Sequence, residues 1–326
     1  MSVDLTDFNV AVGHATDEAG ATGLTVIRGV TQAMRGGVAV FGRASGSREL
    51  AALAPDHLVN GRVDAVLLTG GSAYGLDAAA GVMRWLEEQG RGFDVGAGVV
   101  PIVPAAVVYD LAPLGRFDAR PTVSMAYHAA ATASARGVSE GAVGAGTGTT
   151  VGKAAGPMNA MKGGFGLAVR RAGSRAVAAF AVVNAVGDVR DASGRIIAGA
   201  RGSDGTFVDA QRLLTSGADG PRRFDEMAAQ NTTLGVVVSN GPLTAIEATQ
   251  LARAAGAALF HRITPAGSSL DGDIVFALSP EAGERAEPMV VESLAVLALE
   301  DAIERAVRLA RGREGIPGLA DEKHGR

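Results

Sequence analysis

Glycine placement constrains this chain more than any other feature of its sequence. Its 326 residues include 46 glycines, which fall in short clusters between apolar runs rather than in one low-complexity tract. Such clusters, as in "TGGSAYG" (69–75) and "GAVGAGTGTTVGKAAG" (141–156), predict tight strand connections and close backbone approach, not a disordered linker. Hydrophobic residues make up 47% of the chain but aromatics only 4%, so the core must be built from Ala, Val, Leu and Ile. The length allows one large domain or two.

Several function classes are disfavoured at once. The chain has no cysteine, which removes disulfides, thiol catalysis and Cys-based metal sites. A formal net charge of −4 lacks the basic footprint of a nucleic-acid partner. The N-terminal "MSVDLTDFNV" has no basic-then-apolar signal segment. The longest uncharged apolar run, Val95–Tyr109, has 15 residues and two prolines, too short and too broken to span a bilayer. The expected compartment is the cytoplasm, with no membrane partner.

Strand-like runs fall at Asn9–Gly13, Gly23–Ile27, Val38–Phe41 and Val63–Thr69. "YGLDAAAGVMRWLEEQGRG" reads as a helix with Leu76, Ala80, Met83 and Leu86 on its apolar face and Gly90 as its stop. "VVPIVPAAVVYDL" reads as extended and bent by prolines, and "SMAYHAAATASARG" as helical. Two long β-like runs follow, "GGFGLAVRRAG" and "RAVAAFAVVNAVGDV". Residues 200–230 are polar, rich in Gly and Asp and aperiodic, the pattern of a surface loop or mobile linker. Beyond it come a strand (Leu234–Ser239), a helix opened by a Thr244/Glu247 capping box, a strand (Asp273–Leu278) and a long helix from Pro288 to Arg311. Helices mixed with strands predict a layered α/β protein, 1–326 as a single domain.

Five motifs invite chemistry. "GTGTTVGKAAG" fails as a phosphate loop, because Thr147 and Ala154 stand where Gly and Ser or Thr are required. Lys153 within it is then either a snorkelling surface lysine or a functional amine. "GGSAYG" resembles a nucleophile elbow but has Tyr74 at the last glycine position, and none of the five histidines forms a partner motif. Asp271 and Asp273 in "SSLDGDIVFAL" project from one face if extended, either as a polar turn or as paired acids. Asn184 follows an apolar run and, if buried, must be hydrogen-bonded, to local backbone or to a developing oxyanion. At "AAQNTTLGVVV", Asn231 and Thr232 open a strand. A Thr hydroxyl is a poor nucleophile unless, for example, the chain is cut before it and its own amine serves as base. Ordinary β-favouring threonines are the alternative.

Taken in order, "GATGLTVI", "LLTGGSAYGLDAAAGV", "GAVGAGTGTTVGKAAG", "AFAVVNAVGDV", "NTTLGVVVSN" and "SSLDGDIVFAL" resemble the L-aminopeptidase/D-esterase family, which includes β-peptidyl aminopeptidases and nylon-oligomer hydrolases. The resemblance covers nearly the whole chain and is nearest the nylon-oligomer branch, with its Asn-Thr junction. It implies an αββα sandwich of the N-terminal-nucleophile type, also found in ornithine acetyltransferases. It further implies self-cleavage between Asn231 and Thr232 into chains 1–231 and 232–326, and a tetramer of processed pairs. By the same resemblance Thr232 is the nucleophile and Lys153, Asn184, Asp271, Asp273 and Tyr74 complete the site. Asn184 and amides of the Gly-rich loop would meet the oxyanion. The implied reaction is amide hydrolysis of small peptides or amino-acid oligomers through an acyl-enzyme, with no metal or organic cofactor. The rival readings are an acyltransferase of the ornithine acetyltransferase type and a non-catalytic, uncut member of the fold.

Overall fold

The computed structural model describes residues 3–216, 231–285 and 287–321. Eleven strands, numbered in chain order, make two large sheets. In the first, β1 (Val10–Asp17), β2 (Thr22–Gly29), β6 (Ala65–Thr69), β7 (Ala105–Val107) and β4 (Ser47–Arg48) lie side by side in that order. The second runs β8 (Gly164–Ala172), β9 (Arg175–Asn184), β10 (Thr232–Ser239), β11 (Ile274–Ser279), β3 (Met34–Val40) and β5 (Arg62–Val63). Most neighbours are antiparallel, but β10 pairs with β11, and β6 with β7, in parallel. Parallel partners need a crossover. Helix α1 (Ala79–Glu88) lies in the connection of one pair; α4 (Ala245–Ala255) and α5 (Ala257–Arg262) lie in that of the other.

Side-chain alternation sets the layers. On β9, Ala178, Phe180 and Val182 face the first sheet, joining Val12, Ile27, Val66 and Leu68 in the inter-sheet core. Their neighbours Val177, Ala179, Ala181 and Val183 face the other way, onto α4, α5 and α6 (Pro288–Arg308). On the far side of the first sheet, Leu24, Val26, Ala65 and Leu67 pack on α1 and α2 (Val123–Thr132). The order is helix, sheet, sheet, helix, as the resemblance implied. Strands buried on both faces read as continuous apolar runs, which is why "AVAAFAVV" shows no polar alternation.

The glycines act mainly as points of contact. A Cβ at Gly166 of β8 would collide with the Ala302 carbonyl of α6, so its absence brings helix backbone onto the strand. The β8–β9 hairpin turns through Gly173 and Ser174. Gly173 has φ +59° at the first central position, as a two-residue type II′ turn requires.

Three expectations need correction. Ala80 is exposed, and the buried face of the helix is Ala78, Ala79, Val82 and Leu86. The reason is that Ser72–Ala78 is 3-10 helix, whose tighter winding shifts the phase of the apolar stripe. The second correction concerns the 200–230 linker. Residues 201–216 are mostly exposed, as a surface loop would be, but the stretch is anchored by the buried Ala200 and Ala210 and carries a short helix, α3 (Ala210–Thr215), N-capped by Asp209. Residues 217–230 lie outside the described residues. Lastly, β10 begins at Thr232, not Leu234, because Thr232 and Thr233 already pair with Asn184 and Val183.

Candidate active site

Register creates the centre. Asn184, the last residue of β9, sits opposite Thr232, the first of β10. By strand alternation both side chains lie on the face of Val182 and Leu234, between the sheets. Thr233 belongs to the opposite face. Thr232 is only 4% exposed and Asn184 1%.

The Gly-rich loop delivers the amine. Gly152, with φ +73°, turns the chain so that Lys153 enters the interior on a short 3-10 turn. Its Nζ donates to Asn184 Oδ1 at 2.9 Å, to the Asn184 carbonyl at 3.1 Å and to the Thr150 carbonyl at 3.2 Å. Asn184 Oδ1 also accepts from the Thr150 N–H, and its Nδ2 donates to the Tyr109 carbonyl at 3.0 Å. The Lys153 amine is thus buried among carbonyl oxygens. Burial lowers its pKa to about 7; the positive charge of Lys162 adds to this, while Asp271 opposes it. The snorkelling alternative does not hold.

The acids close the other side. Asp271 is bridged to Asn231 across the start of β10. Its Oδ2 accepts from the Ser268 N–H and hydroxyl at 2.8 and 2.7 Å. Asp273 accepts from the Thr233 N–H at 2.6 Å and the Gly267 N–H at 3.0 Å. Burial, then repulsion from Asp271, raises the Asp273 pKa to about 7. Burial likewise raises that of Asp271, against the pull of Lys153. Three of the four carboxylate oxygens thus already accept protein donors, and among the described residues no three His, Cys, Asp or Glu converge as a metal site.

At the junction itself, the Thr232 hydroxyl donates to the carbonyl of Asn231 at 2.6 Å. The Gly272 N–H donates to the same oxygen at 2.8 Å.

Five of the six expected catalytic residues therefore converge. Tyr74 stands apart: it is half exposed, its ring lies 3.5 Å under the Arg120 guanidinium, and Phe117 packs edge-on. Among the described residues no hydrogen bond joins Tyr74 to this centre. Nor does one join a histidine to Ser72; His14 pairs with Thr25 and His261 with Glu300. Some supporting groups carry no sequence signal. Lys162 is buried and donates to the carbonyls of Gly146, Thr149 and Gly163, clamping the loop that holds Lys153. Asp110 accepts from Thr22 Oγ1 at 2.6 Å and the Gly71 N–H at 2.7 Å, tying the Gly70–Gly71 turn to the Tyr109 segment. Gly272, between the two acids, could have been singled out only as the middle of "DGD".

The sandwich is shared with a solved L-aminopeptidase D-Ala-esterase/amidase from Ochrobactrum anthropi, described as a variant of the Ntn hydrolase fold. The two superpose with a TM-score of 0.69 over 94% of this chain and 86% of that one, at 19% identity. The class is therefore an Ntn-type αββα protein. Sequence comparison carries the assignment further. The pattern of Peptidase family S58 matches residues 4–317. An uncharacterized aminopeptidase of Mycobacterium leprae (strain TN) is 40% identical over 298 residues, covering 86% of this chain and 78% of the relative. A 6-aminohexanoate-oligomer endohydrolase of Kocuria sp. (strain KY2) is 30% identical over 285 residues, covering 83% and 73%. This chain belongs to Peptidase family S58 and is a peptide or amide hydrolase. No helix among the described residues is long and apolar enough to cross a membrane.

Proposed function

We propose that the protein is a self-processing N-terminal-threonine hydrolase that cleaves amide bonds of small peptides or amino-acid oligomers. One observation carries this reading: the buried Thr232 hydroxyl lies 2.6 Å from the oxygen of the carbonyl it would attack, directly across the strand pair from Asn184, whose side chain accepts from the buried Lys153 amine.

In the precursor, Thr232 Oγ1 attacks the Asn231 carbonyl carbon and its proton passes to the Lys153 amine. The C–N bond to Thr232 then breaks, the nitrogen takes a proton, and residues 1–231 are held as an ester on Thr232. Water hydrolyses the ester, giving a carboxylate on Asn231 and restoring the Thr232 hydroxyl beside the α-amine already released. Chain 232–326 now begins with the nucleophile.

In the mature enzyme, Thr232 Oγ1 attacks a substrate amide. Its proton goes to its own α-amine or to Lys153 and then to the departing amine, leaving an acyl-enzyme that water hydrolyses. Base assistance of this kind contributes about 10²–10⁴ in rate. Asn184 orients Lys153. Asp273 fixes the backbone after the nucleophile, and Asp271 favours the charged form of a nearby amine, whether that of Lys153, of the new terminus or of the substrate. Tyr74 would position the scissile group of the substrate. The processed pairs assemble as a tetramer in the cytoplasm.

Intact mass and N-terminal sequencing test the processing. The wild type should yield two chains, the smaller starting at Thr232, and Thr232→Ala should remain one chain without amidase activity. Processing or hydrolysis that survives Thr232→Ala would overturn the mechanism. Light scattering of the processed enzyme tests the tetramer, and an aminoacyl-amide panel assigns the substrate.

A further inference from the structure

We propose that the backbone N–H of Gly272 is the oxyanion donor for cleavage at Asn231–Thr232. This rests on the self-processing reading above. The Asn231 carbonyl is the atom group that becomes tetrahedral in that reaction, and its oxygen takes the negative charge. In the uncut chain Gly272 N–H already donates to that oxygen at 2.8 Å, so the donor points at the atom on which charge develops. It is held there by a parallel bridge between Asn231 and Asp271, so the donor is fixed before the reaction begins.

The sequence points instead to Asn184 and the Gly-rich loop. In the folded protein Asn184 Oδ1 faces the Lys153 amine, and its Nδ2 donates to the carbonyl of Tyr109. Lys162 meanwhile holds the Gly146 and Thr149 carbonyls of the loop.

Position 272 must also lack a side chain. A Cβ there would stand 2.7 Å from Thr232 Oγ1 and 2.8 Å from the Ala44 carbonyl oxygen. Glycine is therefore required for space, because the nucleophile occupies the volume that a methyl group would fill. The flanking acids share the arrangement. The Asp271 carbonyl accepts from the Ala44 N–H, and that of Asp273 from the Phe41 N–H, both at 2.9 Å, so the "DGD" backbone is fixed on both sides of the donor.

The electron balance is ordinary. Attack by Oγ1 moves the carbonyl π pair onto oxygen, where the Gly272 N–H meets it. Collapse returns the pair and expels the Thr232 nitrogen, which is protonated.

A single-atom change isolates the donor. Cell-free translation with glycolic acid at position 272 replaces N–H by an ester oxygen and adds no side chain. Processing of this variant should slow by about 10²–10³, the loss typical of one oxyanion donor. A rate within about threefold of wild type overturns the proposal. The outcomes separate it from the underlying reading. If Thr232→Ala is still cut, self-processing by Thr232 fails; if Thr232→Ala is uncut and the ester variant cuts normally, only the Gly272 assignment fails. A second measurement guards against misfolding. In Thr232→Val, labelling with carbonyl-¹³C asparagine and ¹⁵N valine leaves two directly bonded labelled pairs: Asn9 with Val10, and Asn231 with the substituted position 232. With the ester at 272, the Asn231 carbonyl resonance should move upfield while that of Asn9 stays in place. An unmoved Asn231 signal overturns the assignment.

Discussion

Replacing Lys153 by Met should flatten the dependence of stability on alkaline pH. The amine is buried, and its pKa falls from 10.5 to about 7. An unfolded chain keeps the proton up to about pH 10.4, so between these values the unfolded state binds more protons than the folded one. Stability therefore rises with pH across that window, by at most about 1.4 kcal/mol per pH unit for one lysine. From about pH 7.5 to about pH 9.5 Lys153 contributes on the order of 2–3 kcal/mol of this rise. Lys162, also buried and also lowered to about 7, adds a similar amount. Urea unfolding in a Thr232→Ala background keeps the chain in one piece. There, Lys153→Met should lose about half of the lysine-driven gain and keep the half due to Lys162. Absolute stability also changes, because Met leaves the Thr150 and Asn184 oxygens without their lysine donor. Those oxygens do not titrate in this range, so the slope reports the charge alone. Equal slopes with and without Lys153 would refute the argument that this amine is neutral in the folded protein above neutral pH.

Activity should show the same amine. With Lys153 near 7, kcat/KM should rise as pH increases through neutrality, and Asp271→Asn, which removes the charge that raises the Lys153 pKa, should move that limb to lower pH. A limb that stays in place would show that another group sets it. Thr244→Ala breaks the capping box of α4, whose Thr244 Oγ1 accepts from the Glu247 N–H at 3.2 Å. It should cost about 1 kcal/mol in urea unfolding and leave processing intact. Phe180→Ala empties a fully buried position in the inter-sheet core beside Phe165, and should cost about 3–5 kcal/mol in the same assay.

Much of the fold was legible because its cues are local. The capping box at Thr244, the stop at Gly90 and the long apolar runs of β8 and β9 each lie within a few residues of the structure they specify. The legible part of the site came from six ordered segments and their resemblance to a family, not from spacing. The misplaced helix face at Ala80 shows the limit of periodicity, since a 3.6-residue pattern assumes an α-helix from its first turn.

The sequence by itself determined most of the segments that become strands and helices, and that the core would be made of small aliphatic side chains. Only the tertiary structure decided what the polar residues do. "GTGTTVGKAAG" does not reveal the surroundings of Lys153, because its side-chain partner is Asn184, 31 positions away, and the charge that opposes the effect of its burial is Asp271, 118 positions away. Desolvation and charge proximity are sums over neighbours from separate elements, and packing sets them. The placement of Thr232 and Thr233 has the same origin: alternation puts the two hydroxyls on opposite faces of one strand, and only the stacking of two sheets buries the Thr232 face between them with Asn184.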